Sequence, residues 1–213
     1  MAVYLLDEDI WFPPPAGAEE DGLLAVGGDL SAQRLLLAYS NGIFPWFNED
    51  TEILWWCPKK RFVIFPKEIQ ISRSMKKFMK KTNLTVTMNR DFDGVIESCR
   101  KLREENEGTW ITDGMEHAYK ALHELGYAAS VEVYDGEHLV GGLYGVVIGR
   151  CFFGESMFSL VPNASKLALI CLAKRLQELG FYFIDCQFHT EHLERMGGRY
   201  ISYEEYMQYM EGM

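Results

Sequence analysis

Near its C-terminal end the chain reads FYFIDCQFHTEHLERMGG, residues 181–198, placing a carboxylate, a thiol, an amide and two imidazoles between Asp185 and His192. Three chemistries compete for this stretch: a metal site, a catalytic strand end, and the polar rim of a core strand. A zinc site would need Cys186, His189 and His192 to converge with a further ligand. No second Cys or His pair stands elsewhere, and His117 and His123 lack the i, i+4 spacing. No metal is expected. If the segment is a strand, Phe181, Phe183, Asp185 and Gln187 share one face, and Tyr182, Ile184 and Cys186 the other. Asp185 and Gln187 then become neighbours at the end of an apolar strand, where α/β enzymes commonly hold reacting groups; a capped strand end has the same pattern.

Three further residues could do chemistry. Glu155 sits inside the apolar run CFFGESMFSL. A buried acid is rare unless paired, so Glu155 is either at a rim or in a polar pocket, where an amine would be its natural partner. Trp46 in NGIFPWF and Trp110 in GTWITD follow loop formers. An indole in such a place either stacks on a nucleobase or packs between modules.

These residues need elements to position them. The pattern predicts a short helix in SAQRLLLAYSNG, capped by Ser31 and closed by Gly42, and helices over 90–104, capped by Asn89, and 113–125, begun by Thr112 and Asp113 and stopped by Gly126. AASVEVY, LVGGLYGVVIG and CFFGESMFSL read as consecutive antiparallel strands, because their connections are too short for crossovers. NASKLALICLAKRLQELG follows as a helix capped by Asn163, then FYFIDCQF as a strand and TEHLERM as a short helix. A β-β-β-α-β order after a helical stretch predicts an α+β fold, a mixed sheet with helices on its faces. The first sixty residues, rich in turn formers and aromatics, predict a small N-terminal module, with Pro58 and Pro66 bracketing the boundary.

At 213 residues and 48% hydrophobic, the chain can bury a sizeable core. It shows no signal-peptide pattern and no apolar run long enough to span a membrane, and its five scattered cysteines suit reduced core thiols, so a cytoplasmic location is expected. The net charge of −10 conceals an asymmetry: residues 59–81 hold nine basic residues and one acid, against 12 basic and 30 acidic residues elsewhere. The helix SRSMKKFMKKT puts Arg73, Lys76, Lys77, Lys80 and Lys81 on one arc and Met75, Phe78 and Met79 on the other. Such an island can orient a nucleic acid on one side of an acidic body, or be a solvated face.

DGLLAVGGDLS, YSNGIFPWF, WWCPKKRFVIF, SRSMKKF, GTWIT, VGGLYGVVIG, FFGESMFS and FIDCQ, in this order and spacing, resemble the leucyl/phenylalanyl-tRNA–protein transferase family over nearly the whole chain. The resemblance implies a small N-terminal domain over 1–62 and a GNAT-like acyltransferase domain over 63–213. It implies transfer of Leu or Phe, and less well Met, from aminoacyl-tRNA to proteins that begin with Arg or Lys, creating an N-degron, with no metal or dissociable cofactor and a monomeric enzyme. By position it makes Asp185 and Gln187 the catalytic pair that positions and activates the attacking amine. It assigns Trp46 and Trp110 to the terminal adenosine and aminoacyl group, Glu155, Met157 and Phe158 to the pocket, Thr190 to its edge, and Arg73, Lys76, Lys77, Lys80 and Lys81 to tRNA. Two alternatives are an acetyl-CoA acyltransferase, disfavoured because SLVPNASK lacks a glycine-rich pyrophosphate turn, and a non-catalytic tRNA-binding module.

Overall fold

A computed structural model describes residues 3–106 and 110–210. The first part of the chain forms β1 (Tyr4–Leu6), β2 (Leu23–Gly27), α1 (Ala32–Ser40), β3 (Phe44–Pro45) and β4 (Leu54–Trp56). Then come β5 (Lys60–Ile64), α2 (Arg73–Lys81), β6 (Thr85–Met88), α3 (Phe92–Asn106) and α4 (Asp113–Glu124). The remainder forms β7 (Ala128–Asp135), β8 (His138–Ile148), β9 (Cys151–Ser159), α5 (Ala164–Glu178), β10 (Phe183–Asp185), α6 (Glu191–Arg195), β11 (Arg199–Ser202) and α7 (Tyr203–Met210).

β1 to β4 make a four-stranded sheet in the order β1-β2-β4-β3. The other strands make a seven-stranded sheet, β11-β5-β10-β9-β8-β7-β6, in which β9 and β10 are parallel and every other pair is antiparallel. The expected division between residues 62 and 63 falls inside β5, whose Lys60–Val63 pair with β11.

Alternation along the strands splits the core in two. Phe153 and Phe183 face α1, α3, α4 and α7, and this side also takes in Trp55 of the small sheet. Phe152 and Ile184 face the opposite way, against Met75 of α2 and the apolar face of α5. The helix caps follow from short polar side chains that satisfy orphan N–H groups. Ser31, Ser72, Thr112 and Thr190 each accept from the backbone three residues on.

Two expected caps are replaced. Asn89 adopts φ 56 and its Oδ1 accepts from Ser130 N at 2.9 Å, so it ties β6 to β7, while Asp91 Oδ1 caps α3 through Gly94 N at 3.0 Å. Asn163 stands at the N-cap of α5 without a side-chain bond; the hydroxyl of Ser159 accepts from Ser165 N at 3.2 Å in its place. The expected strand over 181–188 is also shorter, because Phe181 N closes α5 on Leu176 O and the chain turns away after Asp185.

Two irregularities of the sheet create the site. β10 pairs with β9 only from Phe183↔Cys151 to Asp185↔Phe153, after which β9 continues along β8 and the two strands part. Along the β8–β9 ladder, Tyr144 faces Ser156 and Gly145 faces Gly154, which leaves Glu155 as an extra residue in a β-bulge. A bulge re-aims the side chain it carries and bends its strand. Gly145 is required there, since a Cβ at this position would overlap the carbonyl oxygen of Phe153 and the ring of Phe152. Gly145→Ala is expected to destabilise the protein by about 2 kcal/mol or more, read as a lower urea midpoint with unchanged slope.

Candidate active site

The carboxylate of Asp185 lies at the end of β10 with 0% exposure, surrounded by donors. Oδ1 accepts from Gln187 N at 2.8 Å and Arg61 Nε at 3.1 Å. Oδ2 accepts from Arg61 Nε at 2.9 Å and the Tyr206 hydroxyl at 2.8 Å, and is ion-paired with Arg61 Nη2 at 2.8 Å. Arg61, equally buried, lies between the rings of Phe44 and Tyr206, with Cζ 4.7 and 4.8 Å from their centroids. Burial opposes its charge, but Asp185 more than offsets this and holds the guanidinium above its ordinary pKa. Removing one partner of such a pair strands the other charge in the core, which typically costs ~3–5 kcal/mol.

This arrangement corrects one expectation. Arg61 belongs to the core ion pair and not to the exposed basic island. Asp185 lies buried behind Arg61 and Tyr206, where it holds the strand end and the backbone of Gln187. Gln187 itself adopts φ 56, which ends the strand alternation, and its Nε2 is buried without a hydrogen-bond partner among the described residues.

Where β9 and β10 part, a cavity of about 310 Å³ opens through the sheet. Its apolar part is walled by Leu143, Met157, Leu169, Leu172 and Ile184, and Cys186, Thr190 and His192 close one side. Of the expected pocket residues, Glu155, Met157 and Thr190 are on this wall. Phe158 is not: it is 2% exposed and packs in the core at Gly142, because strand alternation turns it away from Met157. The three candidate metal ligands are separated. Cys186 Sγ contacts Ile184 O, His189 bonds to Glu194 at 3.0 Å, and His192 faces the cavity with its Nε2 buried and without a hydrogen-bond partner among the described residues. Burial, with Lys166 and Arg195 adding to it, pushes the His192 pKa down.

Glu155 turns into a polar corner of the cavity. Its Oε1 accepts from the Tyr39 hydroxyl at 2.7 Å and its Oε2 from the Tyr119 hydroxyl at 2.9 Å, while the two hydroxyls are 2.7 Å apart. Three oxygen contacts in a closed triangle call for three protons, and two hydroxyls supply two. Protonation of the carboxyl supplies the third, with the carboxyl then donating to one hydroxyl in place of accepting from it. Burial pushes the Glu155 pKa up to about 7, partly opposed by the two tyrosine bonds and reinforced by Asp185.

Beside the cavity lies an open groove of about 720 Å³ whose walls include Trp46, Phe47, Trp56 and Trp110. Trp46 is 43% exposed and is propped by Trp56, whose Nε1 donates to the Trp46 carbonyl at 2.7 Å, and by the ring of Phe188 at 5.2 Å. Arg103 lines both the groove and the cavity. On α2, by contrast, Arg73, Lys76, Lys77, Lys80 and Lys81 are all exposed, with Met75 buried beneath them.

Sequence reasoning missed Tyr39, Tyr119, Tyr206 and Arg103. Tyr206 had a signal: Tyr203, Tyr206, Met207 and Met210 recur at helical spacing, which marks the buried face of α7. For the two tyrosines that meet Glu155, the sequence carries only core-face spacing, and their convergence comes from the tertiary packing of α1 on α4.

Antiparallel β7–β9, the helix α5 and the parallel return in β10 with a cavity at the parting define a GNAT-like fold, and a crystal structure of FemX is similar to this chain (TM-score 0.51, 12% identity, covering 83% of this chain and 70% of that one). The model of the leucyl/phenylalanyl-tRNA protein transferase family matches residues 63–211, and that of its N-terminal domain residues 28–59. A leucyl/phenylalanyl-tRNA–protein transferase of Syntrophus aciditrophicus is 55% identical, over 97% of this chain and 87% of that protein. One of Pseudomonas fluorescens is 50% identical over 99% of this chain and 94% of that protein. The chain belongs to the leucyl/phenylalanyl-tRNA–protein transferase family.

The raised Glu155 carboxyl has a consequence for stability. The folded state binds this proton more tightly than the unfolded chain does, so stability is lost as pH rises from the ordinary carboxylate range to about 7 and is then constant. Relative to Glu155→Gln, the native protein is expected to lose on the order of 2–3 kcal/mol between about pH 5 and pH 8, measured as the difference in urea unfolding free energy across that range.

Proposed function

We propose that this protein transfers Leu or Phe, and less well Met, from aminoacyl-tRNA to the α-amino group of proteins that begin with Arg or Lys, marking them for proteolysis. It does so as a cytoplasmic monomer with no metal or dissociable cofactor. The observation that carries the reading, within a tRNA–protein transferase family, is an apolar cavity adjoining a groove that presents Trp46 and Trp110. The cavity takes the aminoacyl side chain and the groove the terminal adenosine, stacked on an indole. An apolar site distinguishes Leu, Phe and Met only weakly, by about 1–3 kcal/mol per methylene. Among the described residues no helix is long and apolar enough to cross a membrane.

An aminoacyl ester is already activated, so the protein's main work is to hold ester and amine in attack geometry. Asp185 acts as a positioning residue: it fixes Gln187, whose Nε2 has no hydrogen-bond partner among the described residues and can orient the incoming amine. Glu155, in its tyrosine corner, lies where it can meet an amino group at the cavity. The proposed division is between the four-stranded module and the acyltransferase body, joined at residues 57–59. The exposed cations of α2 hold the tRNA backbone.

Purified protein mixed with radiolabelled Leu-tRNA is expected to label a protein that begins with Arg and to leave one that begins with Ala unlabelled. Labelling of neither substrate sinks the reading. Gln187→Ala, which spares the Arg61–Asp185 pair, is expected to slow transfer at least tenfold. Replacing Lys76, Lys77, Lys80 and Lys81 by Gln is expected to weaken tRNA binding and to reduce its salt dependence by about one unit of slope per lost phosphate contact. Unchanged binding and slope would make the basic arc a solvated face.

A further inference from the structure

We propose that Arg103 is a catalytic residue of this transfer, holding the carbonyl oxygen of the aminoacyl ester as that oxygen gains negative charge. The inference rests on the aminoacyl-transfer reading above and concerns a residue to which that reading gave no part.

Among the described residues, Arg103 alone is common to the walls of the apolar cavity and the tryptophan groove. If the amino-acid side chain fills the first and the adenosine lies in the second, the ester that links them has to cross their shared wall. That wall is where the guanidinium stands. Its Nε donates to Ser156 Oγ at 3.1 Å, and its Cζ lies 6.0 Å from the centre of the Trp110 ring. Ser156 is itself buried and held in register against Tyr144, next to the bulged Glu155. One edge of the fork is therefore anchored, while the two Nη groups have no hydrogen bond to a described residue.

The contrast with Arg100, one turn earlier on α3, sharpens the assignment. Arg100 spends its guanidinium on Glu104, Asp113 and Glu116. Lys120 is engaged by Glu97 and Glu116. Among the described side chains, no carboxylate forms an ion pair with Arg103.

In the step itself, the lone pair of the acceptor's amine forms a bond to the ester carbonyl carbon, and the carbonyl π pair moves onto oxygen. Arg103 donates to that oxyanion. Collapse re-forms the carbonyl and breaks the bond to the ribose oxygen, which takes up the proton released by the amine. The products are an amide and deacylated tRNA, and no further reactant is consumed. Charge-assisted donors aimed at a developing oxyanion act mainly on the transition state, and removal of one such donor typically slows the chemical step about 10²–10³-fold.

The test is single-turnover transfer from labelled Leu-tRNA at saturating enzyme, with Leu-tRNA affinity measured separately, for wild type, Arg103→Gln, Arg103→Lys and Arg103→Ala. The expected result is a saturating rate about 10²–10³-fold lower in Arg103→Gln, with affinity changed by less than about threefold. Arg103→Lys should fall between, since lysine keeps the charge but loses the fork. Added guanidinium ion should restore part of the Arg103→Ala rate, which a purely structural role would not allow. A saturating rate within about threefold of wild type overturns the proposal, and so does a loss confined to affinity. If Arg103→Gln fails to fold, the lysine variant and the guanidinium rescue decide. Failure of the wild-type protein to transfer at all would overturn the functional reading first, and this inference with it.

Discussion

The site is organised by one buried ion pair. Asp185 ends β10, Arg61 enters from β5, and Tyr206 closes over both from α7, so three elements far apart in sequence meet at a single carboxylate. A buried charge pair is tolerated only when its donors and acceptors are nearly all used. Here both oxygens of Asp185 are taken, and the aromatic rings of Phe44 and Tyr206 cover the cation. The pair thereby fixes where β10 stops, which is also where β9 and β10 begin to part.

From that parting the chemistry follows. A sheet whose central strands separate must leave a gap, and this one is lined by apolar side chains on the α5 side and by Arg103, Tyr144, Glu155 and Ser156 at its polar end. The bulge at Glu155 puts a carboxyl into the gap that regular pleating would have directed elsewhere. Gly145 makes room for it. The small sheet contributes the other half of the site by bringing Trp46 beside the opening, held there by Trp56 and Phe188.

Local patterns in the sequence revealed most of the fold. The three antiparallel strands, the helix that follows them and the two-faced basic helix were all legible from periodicity and end signals. Asp185 and Gln187 are neighbours as expected, though through the backbone bond of Gln187 and not a shared strand face, and motif order pointed to Trp46, Trp110 and Glu155. What stayed hidden was long-range. Arg61 counts as one more positive charge in a basic run until β5 is seen to lie beside β10. Phe158 follows the pocket residue Met157 in sequence, yet alternation turns it into the core. The Tyr39–Glu155–Tyr119 triangle joins residues separated by 116 and 36 positions, and no local signal encodes that closure.

The last helix has a bearing on how the protein is made. Arg61 precedes Asp185 by 124 positions and Tyr206 by 145, so on a translating ribosome the cation appears long before its counter-charge, and the hydroxyl that completes the network emerges after both. Until then β5 has neither of its neighbours, β10 and β11, because both lie downstream. Vectorial synthesis thus imposes an order on assembly: the cradle comes before the keystone. A chain released short of Tyr206 would carry nearly every groove-lining residue yet lack the clasp that holds its strand end in place.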